Sequence, residues 1–440
     1  MDYIIRFSLY FIPVAIITGP ALSDIAVSIA GLAFIFKTFK KKMYYYFTHP
    51  LCIFFWVWCF YLVLNSLISE NKLLSLESSL FYFRFGVFSL AILYAIENYS
   101  NFIKNFTKIF LTIYVIVIID AYIQYIFGKN ILGYEHSSGR LSGFFGDEHV
   151  LGSYISRLLP LYFALLFINY RNSILATLFG MITLISVDIL IYLSGERSAF
   201  FYLILSTIAI IVLIKKWRFL RIVTLSISIL IIVLISFTNQ KIKFRMIDRT
   251  LEEMNISGFF STTDSEISSN VIIDNNNDTK SKNLNIFSVQ HQAFYESAFK
   301  MFKDNKLIGV GPKMFREFCK KPQYNIIPEK DISQDGCSTH PHNTYLQLLS
   351  ETGLIGTFPV ILCFLYIIFS TIKQGLFSIL NKEAPFSDVQ ICLLLCLLIT
   401  LWPLVPTGNF FSNWLSVIYY LPVGFLLSKL KEENSIDNKA

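Results

Sequence analysis

His340 and His342 stand two residues apart in the stretch Cys337-Ser338-Thr339-His340-Pro341-His342-Asn343-Thr344 and offer a base to any reaction that must remove a proton. Pro341 suits the first turn of a helix, and Leu346, Leu349 and Ile355 follow at helical spacing. His342 is therefore expected in that first turn, where the positive end of the helix dipole favours an anion and a neutral imidazole. A neutral imidazole near neutral pH accepts a proton from an attacking hydroxyl, which is the work of a general base. The bland alternative is a helix cap flanked by two surface histidines. Metal ligation competes for the same side chains, but no Asp-x-Asp occurs and the two histidines lack a third ligand at zinc-like spacing. Glu329-Lys330-Asp331 is the nearest approach, so no metal and no cofactor is expected. Gly309-Val310-Gly311-Pro312 reads as a turn, since no strand-helix unit surrounds it to make a dinucleotide site.

The elements that must position these residues are apolar. Of 440 residues 54% are hydrophobic and 15% charged, and the mean hydropathy is +0.56, which excludes an ordinary soluble domain. The apolar residues fall in runs of roughly 20, the length that crosses a bilayer as a helix. Twelve such runs are read at 3–17, 21–39, 50–68, 75–96, 106–127, 150–168, 173–193, 199–214, 217–237, 353–372, 389–405 and 414–429. The first is short and begins after Arg6, and no small-residue cleavage site follows it, so it is expected to be retained. The expected fold is thus an all-α integral membrane protein of about twelve transmembrane helices. Its segments are 1–237 with nine helices, a long partly helical loop at 238–352 carrying the histidines, 353–429 with three helices, and a tail at 430–440.

Charge sets the orientation. The 37 basic side chains exceed the 30 acidic ones, and in such a chain the excess reports topology rather than nucleic-acid binding. Lys37, Lys40, Lys41, Lys42, Lys104, Arg171, Lys215, Lys216, Arg218, Lys373, Lys382, Lys429 and Lys431 all fall on the side of the termini. Both termini are expected to be cytoplasmic, and the pieces around Glu70, 128–149, 194–198, 238–339 and 406–413 to face outward. Glu252 to Asn285 is rich in Ser, Asn, Asp and Thr and is expected to be disordered. Beyond it, Ala293, Phe294, Ala298 and Met301 keep helical spacing. Arg84, Asp120 and Asp188 fall inside spans, where ionisable groups are costly unless paired or wet. A buried ion pair is the simplest account, and a polar path for transport is the alternative.

The segment from His342 resembles a family. A histidine followed by Asn, Ser or Gln, then nine residues, Gly, two residues and Gly is the pattern of bacterial O-antigen ligases and related polymerases, and His342, Asn343, Gly353 and Gly356 fit it. Three further stretches are similar to that superfamily: Ser194-Gly195-Glu196-Arg197-Ser198-Ala199, Asn305 to Pro312, and Arg140-Leu141-Ser142-Gly143. The likeness runs from about Arg140 to Gly356. It implies a GT-C-like membrane glycosyltransferase in the bacterial inner membrane, with a periplasmic active site. The implied reaction is an inverting, metal-independent transfer of a glycan from a polyprenyl diphosphate donor to an acceptor hydroxyl. That acceptor is lipid A core for a ligase, or another lipid-linked glycan for a polymerase; a polysaccharide transporter is the reading from a different class.

In that scheme His342 is the catalytic base, and Arg197 and Arg140 hold the donor diphosphate with guanidinium forks. Interfacial snorkelling is the plain alternative for both arginines. Many relatives carry a further arginine in the helix before the Gly-x-Gly turn, where His291 and Gln292 stand here. His291, His340, Asn343 and Glu351 are the supporting candidates, with Lys300, Lys303 and Lys313 as nearby positive charge. Asp147 and Glu148 either orient an acceptor hydroxyl or neutralise Arg140. Cys319 and Cys337 are the two of seven cysteines that the topology exposes to an oxidising periplasm, and they are expected to form a disulfide.

Overall fold

The computed structural model describes residues 1–136, 139–170, 173–253, 287–328, 335–380 and 382–437. Helices stand at each of the apolar runs. The first ten are α1 (Asp2–Ile17), α2 (Pro20–Lys41), α3 (Pro50–Ile68), α4 (Lys72–Ser79), α5 (Phe83–Asn98), α6 (Phe102–Phe127), α7 (Leu151–Tyr170), α8 (Ile174–Leu193), α9 (Arg197–Leu213) and α10 (Arg218–Thr238). After α10 come α11 (Gln240–Lys243), a π-helical turn (Phe244–Asp248) and α12 (Arg249–Glu253). Then follow α13 (Val289–Asp304), α14 (Phe315–Phe318), α15 (Thr344–Ile379), α16 (Asp388–Thr400) and α17 (Asn413–Asp437). Lys129 and Glu135 form an isolated antiparallel bridge in the loop after α6.

Seven of these helical stretches are long and apolar enough to cross a bilayer; Leu151–Leu166, α9 and α16 are shorter apolar helices. This is the architecture of a helical membrane protein. Local chemistry fixes the helix starts. Ser387 and Gln390 form a reciprocal capping box on α16, and the Ser173 side chain accepts from the Ala176 N–H at the start of α8. The predicted spacing of Ala293, Phe294, Ala298 and Met301 appears as the buried stripe of α13.

The charges inside the bundle are paired in two different ways. Arg221 of α10 grips Asp188 of α8 with both Nη atoms, at 2.7 and 2.8 Å, and also donates to Thr207 of α9. Arg84 meets Asp24 at 2.7 Å and donates to Asn413. Asp120 departs from the expected ion pair. Its carboxylate accepts from the Ile131 N–H and the Asn130 side chain, so it pins the loop after α6 instead of neutralising a cation.

α15 is two helices joined at Gly353, which sits at φ 62°. The turn after α13 clamps this break with four backbone bonds: Val310 and Gly311 donate to Ser350 and Glu351, and Leu354 and Ile355 donate to Lys306 and Leu307. A Cβ on Gly353 would lie 2.3 Å from the Leu307 carbonyl carbon, and one on Gly309 2.5 Å from that of Glu351. Close backbone approach, rather than ligand binding, therefore explains both glycines. From α3, Tyr61 and Trp58 bond the Thr352 and Gly356 carbonyls and brace the break from the other side.

Candidate functional site

The histidine segment lies just outside α15. Asn343 is the N-cap, its side-chain oxygen accepting from the Tyr345 and Leu346 N–H groups at 3.0 and 3.1 Å. Helical geometry therefore starts at Thr344, and the expectation that Pro341 and His342 occupy the first turn is corrected: His342 precedes the cap in a left-handed conformation at φ 55°. The Asn343 amide also donates to the Pro403 carbonyl, and the Thr407 N–H donates to the His342 carbonyl at 2.9 Å. The loop between α16 and α17 thus fixes the backbone on which the imidazole stands.

Three histidine rings meet here. His342 lies 4.1 Å from His340 and 5.6 Å from His291, centroid to centroid, with the Phe294 ring stacked against it at 5.4 Å. Its Nε2 is 3.4 Å from Ser338 Oγ. His340 Nε2 is 3.3 Å from the Thr407 carbonyl, an acceptor only, so that nitrogen carries the proton and Nδ1 accepts from Thr339. His291 Nδ1 pairs with Ser288 Oγ at 2.7 Å. Burial, then the neighbouring His340 and His291, push His342 down to about 3, and burial pushes His340 down to about 4. Both rings are neutral at physiological pH.

A second cluster begins one residue before α9. Glu196 is buried and accepts from the Gly152 and Ser153 N–H groups at the start of α7, at 2.6 and 3.1 Å. Burial pushes its carboxyl up to about 7 against those bonds and the charges of Arg140 and Arg157. Arg197, next along, forks onto Glu253 at 2.7 and 3.3 Å, and Arg249 Nε reaches the same carboxylate at 2.9 Å. Arg245 donates to the Gly195 carbonyl at 3.0 Å. Burial, then the repulsion of Arg140, Arg249 and Arg197, lower Arg245 to about 10, still charged at pH 7. Among the described residues, Arg140 Nε and His149 Nδ1 are buried without a hydrogen-bond partner. The Arg197 charge reaches His291, whose proton affinity it lowers in addition to the larger effect of burial.

The sequence-named residues are thus brought together in part. His342, His340 and His291 share one aromatic cluster, Arg197 and Arg140 both act on Arg245 in one cationic cluster, and the Arg197 charge reaches His291. Asn343 serves the helix start. Glu351 is fully buried and accepts from the Phe315 N–H and Gln347, which makes it a support for the turn at α14 rather than a partner of the histidines. Cys319 and Cys337 are bonded with Cα atoms 4.9 Å apart, and the bond ends one residue before Ser338. Asp147 and Glu148 are exposed, and among the described residues no ion pair joins either to Arg140. Lys313 pairs with Glu77 and Lys303 lies over Phe299, so neither adds charge to the site. Glu329-Lys330-Asp331, Arg171 and residues 254–285 lie outside the described residues. Glu252 and Glu253, expected to be disordered, close α12.

Sequence reasoning missed Arg245, Arg249 and Glu253, whose spacing of four along one helical face was the available signal. It also missed Arg157. This side chain is 2% exposed and donates to Ser153, Tyr202 and Thr407, the last of which holds both histidines.

Residues 179–361 match the family model described as O-antigen ligase. That segment is similar to the O-antigen ligase family. The match includes Arg197, Arg245, Arg249, Glu253 and the three clustered histidines, and it begins after Arg140, so that residue joins the cluster from outside the matched segment. No curated protein matches the chain. The family supports the ligase and polymerase superfamily that the motifs resemble, and with the apolar helices it makes this a multi-pass membrane protein.

Proposed function

We propose that the chain transfers a glycan from a polyprenyl diphosphate to an acceptor hydroxyl at the periplasmic face of the bacterial inner membrane, with lipid A core as acceptor. The observation that carries this reading is the pairing, within one ligase-family segment, of a neutral histidine cluster with a cluster of guanidinium groups. Twelve helices cross the membrane with both termini cytoplasmic, by the basic loops described above. His342 takes the proton from the acceptor hydroxyl, and the oxygen attacks the anomeric carbon opposite the leaving group. The bond from that carbon to the phosphate oxygen breaks, the configuration inverts, and the diphosphate departs with the electron pair onto Arg197 and Arg140 without a metal ion.

The arrival of a diphosphate beside His342 favours the imidazolium and so strengthens a base that is weak in the ligand-free chain. The same chemistry on a second lipid-linked glycan makes a polymerase, which the superfamily match equally includes. A lipopolysaccharide gel of a deletion strain carrying wild-type or His342→Ala protein tests the proposal. Loss of all glycan on the core supports the ligase, and a single remaining repeat supports the polymerase. An unchanged ladder in the deletion strain overturns both.

A further inference from the structure

We propose that Arg245 and Arg249 join Arg197 and Arg140 in one anion seat for a diphosphate, and that the Glu253 carboxylate fills that seat in the ligand-free chain. The inference rests on the donor chemistry proposed above and extends it to residues from a different element.

The geometry of Glu253 is that of a bound oxyanion. Two nitrogens of Arg197 and one of Arg249 converge on its two oxygens within 3.3 Å, the planar fork that guanidinium groups make equally with carboxylate and phosphate. Arg140, Arg249 and Arg197 all lie close enough to Arg245 to lower its proton affinity, and Arg140 acts likewise on the buried Glu196 carboxyl. A diphosphate esterified at both ends keeps one negative charge on each phosphate and so presents two anionic groups to these cations where Glu253 presents one. Hydrogen-bonding capacity is left over among the described residues, in the buried Nε of Arg140 and the buried Nδ1 of His149. An unmet buried donor on a charged group is costly, and phosphate oxygens supply the acceptors it lacks. Arg249 and Glu253 are four residues apart on α12, so the exchange asks only that the Glu253 side chain swing off Arg197 as the ligand lands.

Calorimetric titration of the full-length protein in nanodiscs with inorganic pyrophosphate, in EDTA, decides the matter. Glu253→Gln should bind about tenfold tighter than wild type because the internal competitor is gone, and Arg245→Gln and Arg249→Gln each about tenfold weaker. Equal or weaker binding by Glu253→Gln makes Glu253 a strut and overturns its role, and unchanged binding by both arginine variants overturns theirs. Should a Gln variant fail to fold, Glu253→Asp and Arg249→Lys carry the same comparison, since each keeps its charge while Asp loses the reach to Arg197 and Lys the planar fork. The two readings fail separately. Loss of transfer in His342→Ala with wild-type pyrophosphate affinity in Arg245→Gln and Arg249→Gln removes the seat alone, and the expected binding pattern with full transfer by His342→Ala removes the catalytic assignment alone.

Discussion

His342 differs from a surface histidine in what surrounds it. Two imidazoles, a phenyl ring and a serine hydroxyl leave it neutral and oriented. His342→Ala is expected to lower transfer by about 10²-fold or more, the usual contribution of a general base, with normal accumulation in the membrane; activity within about tenfold of wild type removes that role. His340→Ala should be milder, because His340 acts on the carbonyl of Thr407. The pH profile follows from the same burial. His342 is held far below the ordinary 6.5, so it stays unprotonated as pH falls through that value, and the acid limb of kcat/KM should lie well below it. A break at 6.5 in the free enzyme would mean a solvated ring. Arg197→Lys keeps the charge but not the fork, and is expected to lose most activity; EDTA should leave wild-type turnover unchanged.

The helices were legible as elements because apolar runs report burial in lipid directly, and the stripe of α13 was legible from its spacing. The break in α15 was hidden, since Gly353 looks like an ordinary helix glycine until Leu307 arrives against it from 46 residues earlier in the chain. The start of the same helix was misplaced because Pro341 is a strong local signal and Asn343 a stronger one once its side chain is seen on two N–H groups. Arg157 was unreadable for a similar reason, its partners coming from α9 and from the loop after α16. Asn343→Ala should cost about 0.5–2 kcal/mol of stability by removing the cap, and it should lower transfer further by freeing the backbone of His342; a variant with wild-type melting and turnover would make the cap dispensable. The bond between Cys319 and Cys337 should protect both thiols from an impermeant labelling reagent in intact, unreduced protein, with protection lost on reduction. Free labelling of both rules the bond out of the mature protein.

At the scale of the whole molecule, the site stands beside two short apolar helices. α16 has 13 residues and α9 has 17, advances of about 20 and 26 Å against a hydrocarbon core of about 30 Å. α16 ends at Thr400, whose carbonyl faces Arg157, and the loop that follows carries Thr407 to both histidines. α16 is buried among its neighbours, so acyl chains meet the short span at α9, whose Phe201, Ile204, Ile208 and Val212 are exposed, and a bilayer fitted to α9 thins there at a cost of a fraction of a kcal/mol per Å of mismatch. Lipid headgroups are drawn down with it, which would bring the phosphate of the donor proposed above to the arginines without its leaving its own layer. Turnover in nanodiscs of short-chain lipid should therefore exceed turnover in long-chain lipid, and a rate indifferent to acyl length would show that the thinning does no work. The short helices make membrane thickness itself a variable in the reaction.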